Sequence, residues 1–93
     1  MPPHVIFKYP ITGGIANLDL PKGARILDVH NQQGVPTLWA LINREHNETE
    51  HRTFVVIPTG HTFDPTESFA EYVGTSHDPS LDLVWHVFEL GVL

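Results

Sequence analysis

Two apolar runs separated by a charged island, PTLWALINREHNETEHRTFVVIPTG at residues 36–60, constrain this chain more than any other stretch. Successive side chains of an extended chain point to opposite faces. Trp39 and Leu41 of the first run therefore share one face, and Leu38, Ala40 and Ile42 share the other. Residues 53–57 repeat the pattern, with Phe54 and Val56 on one side and Val55 and Ile57 on the other. These are the β-branched and aromatic residues that fit a pleated surface. Strands apolar on both faces belong inside a sheet covered on both sides. A symmetric connection would set Leu41 opposite Phe54 and Trp39 opposite Val56, cross-strand contacts of roughly 0.2–1 kcal/mol each that fix the register. The island itself, residues 44–51, holds Glu45, His46, Glu48, Glu50 and His51. It is too long and too polar for a tight turn and reads as a solvated loop.

The remainder supplies partners for this pair. Val5, Phe7 and Tyr9 alternate in a first strand that Pro10 ends or confines to an edge. Thr12-Gly13-Gly14 turns the chain into residues 15–20, where Ala16, Leu18 and Leu20 oppose Asn17 and Asp19, a half-buried strand in a hairpin with the first. Leu20-Pro21-Lys22-Gly23 is read as a turn with proline second and glycine fourth. Residues 24–30 are again extended, and Asn31-Gln32-Gln33-Gly34 leads into the central pair. Beyond residue 57, Asp64-Pro65-Thr66-Glu67 has the residues of a helix start, Phe69, Tyr72 and Val73 fall at helical spacing, and Gly74 stands at a helix stop. The spacing predicts a short helix near 65–73. After Asp78-Pro79-Ser80, the run LDLVWHVFEL at 81–90 reads as another central strand. The expectation is a single domain over residues 1–93, mainly β and α+β at the margin. It is a small antiparallel barrel or curled sheet of about six strands with that one helix covering an opening.

Composition excludes several classes of function. A formal charge of −6, from 11 acidic against 5 basic residues, argues against direct nucleic-acid binding, which depends on cations neutralising phosphates. Acidity suits solubility or a basic partner surface. The absence of cysteine removes thiol nucleophiles, disulfides and Cys-ligated metals, and a reducing cytoplasm is the simplest expected home. Neither a signal peptide nor a stretch approaching the roughly 20 apolar residues of a membrane span is evident, so no membrane partner is expected.

Seven histidines are the compositional oddity. His46, Glu48, Glu50 and His51 offer nitrogen and oxygen ligands of a kind zinc or manganese takes, but in no known spacing and on a loop without the rigid support a metal site needs. They are weak metal candidates and better read, with Glu45 and His61, as contact-loop residues. His61 leaves a strand where loops carry function, yet no nucleophile or orienting carboxylate stands beside it in sequence. His86 and Glu89, three apart on a strand, point to opposite faces and cannot chelate one ion together; His86 reads as a satisfied core histidine. Trp39 and Trp85 read as packing volume on central strands. Phosphate loops, GxGxxG turns and GxSxG elbows are absent. No catalytic residue and no cofactor is assigned. Any binding surface is sought on the sheet face carrying Tyr9, or on an unpaired edge strand.

Leu20-Pro21-Lys22-Gly23-Ala24 with Ile26-Leu27, then Gly34-Val35-Pro36-Thr37-Leu38-Trp39-Ala40-Leu41, Thr59-Gly60-His61, Tyr72-Val73-Gly74-Thr75 and Trp85-His86-Val87-Phe88-Glu89 together resemble a family of small uncharacterised domains of tailed phages, prophages and bacteria. The likeness spans nearly the whole chain, apart from the His- and Glu-rich segment at 44–51. It implies a phage-type accessory protein, expected in the host cytoplasm, that binds a host or phage protein, blocks a host enzyme or defence factor, and has the option of self-association. The alternatives are a small-molecule or metal binder or minimal hydrolase using His61 or the His46/His51 loop, and a minor virion or assembly component.

Overall fold

A computed structural model of the chain describes residues 2–64, 66 and 70–91. Seven strands run through them: β1 (His4–Pro10), β2 (Ile15–Pro21), β3 (Arg25–Gln32), β4 (Val35–Asn43), β5 (Thr49–Pro58), β6 (Glu71–Asp78) and β7 (Leu83–Leu90). They form two sheets whose paired strands are all antiparallel, a three-stranded sheet in the order β1-β4-β3 and a four-stranded sheet in the order β2-β5-β7-β6. The fold is mainly β, but among the described residues it is neither a closed barrel nor one curled sheet.

This division corrects two expected pairings. β4 and β5 do not pair with each other, so Leu41 does not face Phe54. β4 lies between β1 and β3, with Leu41 opposite Ile6 and Arg25. β5 lies between β2 and β7, with Phe54 opposite Ala16 and Glu89. Nor do β1 and β2 make a hairpin; the Thr12–Gly14 turn carries the chain from one sheet to the other. The reason is shared by both errors. Alternating apolar residues fix which side chains lie inward but carry nothing about which strand lies alongside. The Pro21-Lys22-Gly23 turn is also offset by one residue. It closes from the Pro21 carbonyl to the Ala24 amide at 3.0 Å and puts Gly23, at φ +81°, in the third position where a type II turn needs a left-handed residue.

The expected helix is absent among the described residues. Tyr72 and Val73, assigned to its apolar stripe, lie in β6, while Pro65, Glu67, Ser68 and Phe69 fall outside the described residues. Asp64 does accept hydrogen bonds from the Thr66 amide (2.9 Å) and hydroxyl (2.6 Å), so the capping chemistry is real but serves a local turn. β6 escaped recognition because its inward residues Gly74, Ser76 and Asp78 are small or polar. The structure explains the smallness. A Cβ on Gly74 would lie 2.6 Å from Cγ1 of Val29 on β3, so the sheets approach here as closely as a glycine permits. The bulge at Val73 shifts the β6–β7 register beside it.

Between the sheets lie Ile11, Leu20, Val29, Leu38, Ile42, Phe54 and Val87, each 2% exposed or less. Burying an aliphatic or aromatic side chain of this size contributes roughly 1.5–3 kcal/mol. The six strands other than β6 that border this core were legible as strands, and β7 is central as expected.

Candidate functional site

Register assigns every β4 residue to a face. Leu38, Ala40 and Ile42 are buried between the sheets, so Trp39 and Leu41 point out of the molecule. Their neighbours across the strand pairs continue this outer face. One row reads Lys8–Trp39–Asp28 and the next Ile6–Leu41–Arg25, with β1 on one edge and β3 on the other. Ile6 is 54% exposed, Trp39 and Leu41 are half-buried, and neither Trp39 nor Leu41 belongs to the inter-sheet core. The Trp39 ring meets His30 edge-on at 6.2 Å, and Asp28 bonds His30 at 2.8 Å. This uncovered apolar surface corrects two expectations. Trp39 is not core packing, and Tyr9 is not on the exposed face: it packs inward, where burial raises the pKa of its hydroxyl. Trp85, by contrast, packs against the core as expected.

The outer face of the four-stranded sheet is built differently. His86 on β7 has Thr59 Oγ1 at 2.7 Å from Nε2 and Thr75 Oγ1 at 3.2 Å from Nδ1, and Thr75 in turn bonds the Tyr72 hydroxyl at 2.6 Å. His86 is therefore satisfied, but on a surface and not in the core. Threonine hydroxyls sit on both ring nitrogens, and no carboxylate is among its hydrogen-bond partners in the described residues. Phe63, on the segment crossing from β5 to β6, stacks on Phe88 with ring centroids 4.9 Å apart, and Tyr72 flanks Phe88 at 5.6 Å.

A cleft of about 640 Å³ opens where β2 turns into β3, lined in part by Arg25, Glu50, Arg52, Glu71 and Glu89. Its floor is occupied by an ion pair. Arg52 grips Glu89 with two bonds, Nε to Oε2 at 2.6 Å and Nη2 to Oε1 at 2.8 Å, and donates from Nη1 to the Ala24 carbonyl. The Glu89 bond, and then the charges of Glu50 and Glu71, hold the guanidinium pKa above its ordinary value. The group ties β5 and β7 to the start of β3 and is committed to that task.

The charged island is divided. Residues 44–48 connect the strands, whereas Glu50 and His51 belong to β5, which corrects the expectation of a loop through 51. Glu48 pairs with Lys22 at 3.3 Å, Glu50 accepts the Gly23 amide at 3.2 Å, and His51 bonds Asp19 at 3.1 Å and Asn17 at 3.2 Å on β2. Glu45 and His46 are exposed in the connection, and Asn43 bonds both of their amides. His61 is exposed and its amide bonds Pro58. The island's residues are thus distributed among separate partners. Among the described residues no three histidines or carboxylates are placed to hold one metal ion. No helix is long and apolar enough to cross a membrane, again among the described residues.

The outward-facing aromatic residue that sequence reasoning missed is Trp39. Its signal was present in the two-faced pattern of 37–43, which fits equally a strand covered twice and a strand covered once with a sticky outer face. A family model described as Domain of unknown function (DUF7352) matches residues 2–92. The chain belongs to this family. No curated protein and no solved structure matches it. Membership in DUF7352 agrees with the resemblance to an uncharacterised domain family and leaves the chemistry to be argued from the surface.

Proposed function

We propose that this DUF7352 domain acts by non-catalytic protein–protein contact through the outer face of the β1-β4-β3 sheet. As a phage-type accessory protein, it would occupy a surface of a host enzyme or defence factor. The observation that carries the reading is the outward Trp39–Leu41–Ile6 cluster, with Ile6 54% exposed and Trp39 and Leu41 half-buried, flanked by Lys8 and Arg25. Aromatic anchors with nearby arginine are the residues that concentrate binding energy at protein interfaces. The other polar side chains of note, Arg52, His51 and His86, are each held by partners within the fold.

The test is affinity capture from host lysate with the wild-type chain and a Leu41→Lys variant whose circular dichroism matches it. A stoichiometric partner retained by the wild type and lost by the variant supports the reading. Recovery of no stoichiometric partner, or of the same one by both chains, contradicts it.

A further inference from the structure

Three buried side-chain polar atoms have no hydrogen-bond partner among the described residues: Asn31 Oδ1 on β3, Ser76 Oγ on β6 and Trp85 Nε1 on β7. Native interiors leave few such groups, because a buried donor or acceptor has given up its bonds to bulk water and needs a replacement. The fold brings the three to one place. Ser76 and Trp85 stand directly opposite each other in the β6–β7 ladder. Both face inward, Ser76 at 1% exposure and Trp85 against the core. Asn31 arrives from the other sheet. It lies two residues beyond Val29 on the same face of β3, as Ser76 lies two beyond Gly74 on β6. Val29 touches the site of Gly74, and on the far side of Asn31 a Cβ on Gly34 would lie 3.8 Å from Oδ2 of Asp78. With residue 29 over 74 and residue 34 beside 78, β3 and β6 run in the same direction, and Asn31 falls over Ser76 between these two contacts.

The chemistry of the three atoms selects what joins them. The indole Nε1–H only donates, the amide oxygen only accepts, and the serine hydroxyl does either. A cation would be set against the indole proton and an anion against the amide oxygen. A neutral group that both accepts and donates suits all three. It must also be small, because one layer away, at Gly74 and Val29, the sheets approach as closely as a glycine permits. We infer that a single water molecule is built into this junction, accepting from Trp85 Nε1–H and donating to Asn31 Oδ1 and Ser76 Oγ. Three bonds are the usual complement of a buried water. The molecule supplies a polar tie from β3 to β6 and β7 where the inward residues of β6, Gly74 and Ser76, offer little apolar surface to hold the sheets together. This inference is independent of the reading of the outer face of β4 as a contact surface.

Transfer of magnetisation from water to amide and indole protons, measured by NMR on the full chain, tests it. The chain has two tryptophans, so the indole signal that remains in Trp39→Phe is that of Trp85. The expected result is a water cross-peak at the Trp85 indole N–H, with laboratory-frame and rotating-frame effects of opposite sign, the signature of a water held far longer than those at the surface. Ser76→Ala should keep the cross-peak, since two partners remain, and Asn31→Leu should abolish it, with circular dichroism matching wild type in both. Absence of the cross-peak in the wild type, as when the indole bonds Asn31 directly, overturns the inference whatever the variants do. So does its loss in Ser76→Ala, which would trace the signal to an exchanging hydroxyl proton, or its survival in a folded Asn31→Leu.

Discussion

β4 and β5 look alike in sequence and end in different surroundings. Both alternate apolar residues on two faces. In β5 the inward Phe54 and Val56 and the outward Val55 are 0%, 7% and 5% exposed, so both faces are covered. Val55 sits between Ile15 and Phe88, and Phe63 from the crossing segment lies on Phe88. In β4 the inward Leu38, Ala40 and Ile42 are as deeply buried, yet Trp39 and Leu41 look outward from a three-stranded sheet and are only half-buried. An apolar face is thus a demand for cover. The chain meets that demand for β5 and leaves it open for β4, and an uncovered apolar face is where partners bind.

The contrast gives graded expectations for equilibrium unfolding at protein concentrations too low for self-association. Phe54→Ala should cost about 3–5 kcal/mol, whereas Trp39→Ala should cost less than about 1 kcal/mol despite removing a larger ring. Equal losses would erase the distinction. Next is the pair that ties β5 to β7. Arg52→Met strands the mostly buried Glu89 and should cost about 2–4 kcal/mol, while Arg52→Met with Glu89→Met recovers most of that loss. If the double variant is as unstable as the single one, the pair is not the cause. Gly74→Ala should cost about 1–3 kcal/mol through collision with Val29. The same change in a Val29→Ala background should cost less than about 0.5 kcal/mol, and an undiminished penalty there would show that the close approach of the sheets is not responsible.

The smallest effect is electrostatic. Asp78 is buried at 2% exposure, and the Ser80 hydroxyl (2.6 Å) and amide (3.0 Å) hold its carboxyl pKa below the usual 3.8. A carboxyl depressed in the folded state adds stability that is present above the unfolded value and lost as pH falls through the folded one. Wild type should therefore exceed Asp78→Asn at neutral pH, with the gap closing below about pH 4. A gap that is flat or grows on acidification contradicts the assignment.

The strands of 4–43, 53–57 and 83–90 were legible because alternation against one core writes period two into the sequence. The remainder does supply partners for the two central runs: β1 and β3 flank β4, and β2 and β7 flank β5. Sheet membership was not legible, because two stacked sheets and one curled sheet impose the same alternation. β6 was lost for a related reason: contact with Val29 demanded glycine at 74, where an apolar residue would have marked a strand. The site was legible as residue types and not as a place. Glu50 and His51 stood out as an unusual cluster, but the structure assigns them to β2 partners, whereas Trp39 passed as ordinary core.

The central claim is that Leu41 on the outer face of β4 lies at a surface and Val55 on the outer face of β5 is covered. Its most direct test measures Leu41→Ser and Val55→Ser side by side by chemical denaturation of dilute protein. The structure predicts a loss of about 2–3 kcal/mol for Val55→Ser and less than half of that for Leu41→Ser. Losses of the same size, or a larger one at Leu41, would contradict it.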